Sequence, residues 1–217
     1  RKYHFLEFKK GIYNSIINID KIGDDTLIVK FERIVRIVKP AIYLYPIHQQ
    51  EITVIHKFKG KIENTYPLYN DKWQVIAEPN GSLFNKADNR KYNYLFWDGI
   101  FSFPENHYNY KDGYYISREE TTKFLQRKLE HIGLNETEIN DFIVYWLPLL
   151  SKNEMNFIHF SINDNIDNSS FLEVTPKPES QLRLFMEFRK SEKNHLDQLP
   201  EQVLPVIKRN GFTLVEC

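Results

Sequence analysis

Cysteine occurs once in this 217-residue chain, at Cys217. No intramolecular disulfide can form, and neither a cysteine-rich metal site nor a redox pair can be built. Net charge is missing too, with 29 Lys and Arg against 29 Asp and Glu. Strong sequence-independent binding to nucleic acid or to anionic lipid needs a basic excess that is not there. No apolar run approaches the ~20 residues that span a bilayer, and no signal peptide is visible. The glycine-rich phosphate loops, the GxSxG elbow and the HExxH zinc run are all absent. These absences remove the warrant for naming a reaction, a cofactor or a metal. The lone thiol suits a reducing compartment, so a cytoplasmic location is the expectation, with an upstream segment removed before Arg1 still compatible with it.

What is present is a surplus of rings. Aromatic residues make up 15% of the chain and hydrophobic residues 41%, enough for a substantial core. Residues 1–38 form a strand-rich segment, and the stretch 1–40 carries nine Lys and Arg against five Asp and Glu. Residues 39–217 read as a single α+β domain. Its first part, 39–103, alternates in period two: Ile52, Val54 and His56 share a face, as do Trp73, Val75 and Ala77. Pro79-Asn80-Gly81 is a turn signal. This is the pattern of a β-sandwich-like half. In "TLIVKFERIVRIV", at 26 to 38, the alternation slips near Arg33, which predicts a bulge or break there.

At about 118–148 the period changes to that of an αα-hairpin. Ser117 with Glu120, and Asn135 with Glu138, are capping boxes. Phe124, Leu125, Leu129 and Ile132 recur at helical spacing, Gly133 supplies a stop, and Pro148 should end or kink the second helix. Strands return over 156–217. A helix-turn-helix reading fails, because "INDFIVYWLPLL" is apolar nearly all round and belongs in a core rather than in a DNA groove.

The run "KPAIYLYP", 39 to 46, is a short strand closed by a proline at each end. Ile42 and Leu44 should be core; Tyr43 and Tyr45 face the other way, to core or rim. Partly exposed rings make a sound recognition surface. The candidate binding residues are therefore Lys39, Tyr43, Tyr45, Trp73, Trp97 and Lys177. The catalytic alternative rests on His48, His56 or His159 beside a carboxylate. His48 and His56 match no short zinc spacing.

"KPAIYLYP", then "TYPLYNDKWQVIAEPNGSL", "YLFWDG", "FIVYWLPLL", "NFIHF" and "TPKPESQLRLFMEF", resembles in that order a family of mainly bacterial proteins built around a KPxIYLYP motif. The likeness spans about 39–217. It implies no reaction, cofactor or catalytic residue. The chain departs from that pattern at Lys72, where the family has Gly, at Asp98 for Glu, at His159 for Arg, and at Cys217 for an aromatic residue. Its Asn, Lys, Ile and Tyr bias is that of an AT-rich genome, as in a large DNA virus or a protist. Three functions are then open. The first is a non-catalytic protein that contacts a protein or glycan through exposed aromatic and Lys residues, with Tyr45, Trp73 or Trp97 in a contiguous surface patch. The others are a hydrolase with a His–carboxylate site and a structural component of an assembly such as a virion.

Overall fold

The computed structural model describes the backbone of residues 8–10, 13–22, 26–34 and 105–106, and residues 35–103, 107–192 and 199–217 in full. The basic side chains before residue 35 lie outside the described residues. Three strands come first, β1 (Phe8–Lys10), β2 (Tyr13–Ile22) and β3 (Thr26–Ile37), then β4 (Ala41–Tyr45), β5 (Gln50–Phe58) and β6 (Lys61–Tyr66). Next are β7 (Trp73–Ala77), β8 (Leu83–Asn85), β9 (Arg90–Tyr92), β10 (Leu95–Ser102) and β11 (Tyr114–Ser117). Two helices follow, α1 (Thr121–Ile132) and α2 (Glu136–Leu150), then β12 (Met155–Ile162) and the one-turn α3 (Asp164–Asp167). β13 (Ser170–Thr175), β14 (Ser180–Lys190) and β15 (Thr213–Glu216) complete the chain.

The architecture is α+β and sandwich-like, in three layers. A large sheet runs in the order β1-β2-β3-β10-β4-β15-β14-β12-β11, with β6 also paired to β10. A second sheet, β13-β5-β7-β8-β9, covers one face. Between the sheets lies a core of Ile42, Leu44, Ile52, Trp73, Trp97 and Leu214 with their neighbours. The helical hairpin covers the other face over Tyr43, Leu125, Phe142, Leu184 and Val215. β4 therefore lies inside the molecule and is apolar on both faces. Ile42 and Leu44 face the sandwich while Ala41 and Tyr43 face the helices.

The hairpin follows its local signals. Asn135 Oδ1 accepts from the Glu138 N–H at 2.9 Å, and Glu138 Oε2 accepts from the Asn135 N–H at 2.8 Å. Gly133 takes a left-handed φ of 115° and its N–H reaches the Leu129 and Glu130 carbonyls. Only a residue without Cβ does this cheaply. Two details differ from expectation. Ser117 Oγ accepts from the Glu120 N–H at 3.3 Å, yet α1 begins only at Thr121. Pro148 sits in the last turn of α2, where the helix runs on to Leu150. The irregularity placed near Arg33 falls instead at 38–40, since β3 is continuous to Ile37.

Between the sheets an ionic cluster replaces apolar packing. Arg183 is fully buried; its Nε donates to Glu216 Oε2 at 2.6 Å and its Nη1 to Asp167 Oδ1 at 2.5 Å. The same guanidinium donates to the Ser170 carbonyl and to Ser170 Oγ. Trp97 Nε1 donates to Glu216 Oε1 at 2.9 Å, and His56 Nε2 meets Ser170 Oγ at 2.9 Å. Residues of β5, β10, α3, β13, β14 and β15 thus share one network.

Glu216→Gln removes the charge that faces Arg183 without changing shape. Breaking a buried pair from one side costs about 3–5 kcal/mol, so denaturant unfolding of the variant should show a loss in that range. A loss under about 1 kcal/mol would mean that water screens the pair.

Burial and the Arg183 charge hold His56 down to about 4, against the opposing pull of Glu216. The unfolded chain therefore takes a proton from pH ~6.5 downward that the folded chain refuses until about 4. Stability from this residue is complete above pH ~6.5, declines as pH falls through that window, and levels off below it. The integrated loss is up to about 3 kcal/mol. Unfolding free energies measured from pH 7 to 4 should show this slope in the wild type and lose it in His56→Gln.

Candidate functional site

The interior opens beside the junction of β3 and β4. Phe96, Gly99 and Ile100 of β10 pair with β6 on one edge. β3 and β4 therefore share the other edge, Ile37 lying opposite Gly99 and Ala41 opposite Phe96. Four steps along β3–β4 match three along β10. The extra residue is a bulge, and Lys39 within it has φ of 62°. A left-handed lysine costs roughly 1–2 kcal/mol, so the surroundings must hold it. They do so through its amine: Lys39 Nζ donates to the Asp141 carbonyl and stands 5.5 Å from the Tyr145 ring centre. Burial lowers the Lys39 pKa, partly offset by Asp141 and Cys217.

Beside the bulge lies a cavity of about 90 Å³. Residues 35 to 40 and Leu184 to Glu187 form its two long walls, and Cys217 stands at one end. Phe142 and Trp146 reach it from the helical layer; Ile166 and Ser169 reach it from the sandwich side. Phe103 and His107 lie over it, their rings stacked at 4.0 Å. His107 Nε2 lies 2.7 Å from Glu187 Oε1, while Glu187 Oε2 is buried without a hydrogen-bond partner.

The residues expected from sequence are dispersed. Lys39 lines the cavity. Tyr43 stands behind it, donating to Asp141 Oδ2 at 2.8 Å, with its pKa raised by burial and the nearby Cys217. Tyr45 is half-buried under the Arg209 guanidinium, 4.6 Å from its ring centre, and burial pushes its hydroxyl up to about 12. Trp73 and Trp97 are 1% and 0% exposed, which corrects the exposed aromatic surface built on them. Period-two alternation carries both indoles into the space between the sheets. There Pro67 and Glu216 accept their N–H groups. Lys177 is exposed on the β13–β14 connection, away from the cavity.

The histidines divide in the same way. His48 is exposed, His56 belongs to the buried ionic cluster, and His159 faces Asp112 at 3.4 Å and Gln202 at 3.3 Å. The histidine at the cavity is His107, which the sequence reading passed over; its partner Glu187 is 80 positions away. Arg183 and Glu216 were also missed. Their signal was a lone charge inside an apolar run, "LRLF" and "LVEC". Comparison with protein-family models, with curated proteins and with solved structures finds no match to this chain.

Burial drives the Cys217 thiol far above its ordinary pKa, reinforced by Glu138, so it is held protonated. A protonated thiol is a poor nucleophile. Iodoacetamide should therefore alkylate Cys217 at least about a hundredfold more slowly in native than in denatured protein. Mass spectrometry of timed quenches reads this, and comparable rates would show the thiol reactive in place.

Proposed function

We propose that this protein is a non-catalytic binding module whose ligand enters the cleft between residues 35–40 and 184–187. The supporting observation is the cleft's make-up. It is largely apolar, it opens into the core, and Glu187 sets a carboxylate oxygen without a hydrogen-bond partner at its wall. An apolar concavity with a few converging polar groups is the usual form of a ligand site. The His–carboxylate pair that a hydrolase would need is present as His107 and Glu187. The thiol at the same cleft is held protonated, and among the described residues no cluster of His, Cys, Asp and Glu could hold a metal. Kinship with the KPxIYLYP-motif family belongs to this proposal, and it brings no reaction with it. Protein and glycan remain the two ligand classes.

A random-peptide display library and a glycan array, each probed with the whole protein, test the assignment. Binders should shift the backbone amide resonances of residues 37–39 and 184–187. Ser161→Tyr, which fills the cleft from the sandwich side, should weaken them by about tenfold. Binders that map only to outer faces, or no binders from either source, would overturn it.

A further inference from the structure

β11 pairs with β12 from Ser117↔Met155 to Tyr114↔Ile158. The next backbone groups on that edge of β12 are those of Phe160, and a side chain supplies their rung. Gln202 Oε1 accepts from the Phe160 N–H at 2.9 Å, and Gln202 Nε2 donates to the Phe160 carbonyl at 2.7 Å. The carboxamide thus stands where a peptide group would stand in a ladder. It belongs to the connection 199–212, which is fastened nearby in other ways. The Gly113 N–H donates to the Pro200 carbonyl at 3.0 Å, Tyr114 donates to the Gln202 carbonyl, and Leu204 is buried among the helices.

The other hydrogen of that amide fixes the state of His159. Gln202 Nε2 stands 3.3 Å from His159 Nε2. The Phe160 N–H settles which amide atom is the oxygen, so Gln202 approaches the ring as a donor. His159 Nε2 must then offer a lone pair, and the ring proton sits on Nδ1. That Nδ1 is buried without a hydrogen-bond partner. Directly across on β14 stands Glu187, whose Oε2 is likewise buried without one. Side chains of residues paired in this way rise from the same face of the sheet. Asp112 Oδ1 lies 3.4 Å from His159 Nε2, at the very nitrogen that accepts from Gln202. A lone pair repels that carboxylate; an N–H would bind it.

Neutral His159 therefore suits Gln202 and leaves two carboxylates poorly served. Protonated, the ring carries N–H on both nitrogens. It then suits Asp112 at Nε2 and Glu187 at Nδ1, and it meets the Gln202 N–H as donor against donor. We infer that His159 is a proton-operated latch, which fastens Gln202 to the edge of β12 when neutral and releases it for Asp112 and Glu187 when protonated. The latch works without a ligand in the cleft.

Among the described residues, the groups that face His159 are Asp112, Tyr110 and His107 from the segment before β11, and Glu187 from β14. Arg189, two residues beyond Glu187, lies over the Phe157 ring. Burial lowers the His159 pKa, Glu187 and Asp112 pull it back up, and His107 adds to the fall. Release therefore comes on the acid side of the ordinary histidine range.

Long-range proton–nitrogen spectra of the imidazoles, combined with amide exchange on the whole chain, test the latch. In neutral to basic solution His159 should be the Nδ1–H tautomer. Through its titration the Gln202 side-chain amide should shift with the same midpoint. Protection of the Phe160 amide, corrected for intrinsic exchange, should fall by about tenfold over that range. Asp112→Asn and Glu187→Gln each remove a partner of the charged ring, so each should move the midpoint to lower pH. Gln202→Met should leave Phe160 weakly protected throughout and abolish the step. An Nε2–H tautomer in basic solution overturns the latch, because the ring would then face Gln202 as a donor. Unchanged Phe160 protection while His159 titrates also overturns it, as does a ring that stays neutral until the protein unfolds.

Discussion

The Arg183–Glu216 pair is the constraint around which the interior is organised. Two charges between two sheets carry a desolvation penalty that only near-complete hydrogen bonding offsets. Here the guanidinium reaches Glu216, Asp167 and Ser170, and Trp97 takes the second carboxylate oxygen. Such a cluster tolerates little displacement. If β15 slipped by one residue, Glu216 would turn toward the helices and Arg183 would be left without its partner. The pair thus sets the register of β15 against β4 and β14. That register also sets Cys217 opposite Ala41.

Much of the fold was legible in the sequence because its signals are local. The Asn135–Glu138 box, the left-handed stop at Gly133 and the alternation of Trp73, Val75 and Ala77 each lie within a few residues of chain. What could not be read depends on separation. Period two tells which residues share a face, not whether that face meets water or a second sheet, so Trp73 and Trp97 could be assigned to a surface they do not occupy. The cleft was the least legible feature of all. It lies between the β3–β4 junction and β14, and His107 meets Glu187 only after the whole sheet is in order.

Lys39 connects these two levels. One extra residue lets the chain turn between β3 and β4 while both stay on the same edge of β10. The bulge holds its backbone in a left-handed turn and ties its amine to Asp141 on α2. Backbone strain of this kind gathers where a protein positions groups for use. Lys39 also stands at a cleft wall, so a residue chosen from sequence for its charge contributes mainly through its conformation.

β15 lies at the centre of the large sheet although it is drawn from residues 213–216, far along the chain from β4. During synthesis β4 and β14 must both wait, edges bare, for the strand that joins them. Pairings between distant segments form slowly, and bare edges invite association in the meantime. The middle of the sheet therefore stays open until residues 213–216 have joined β4 to β14.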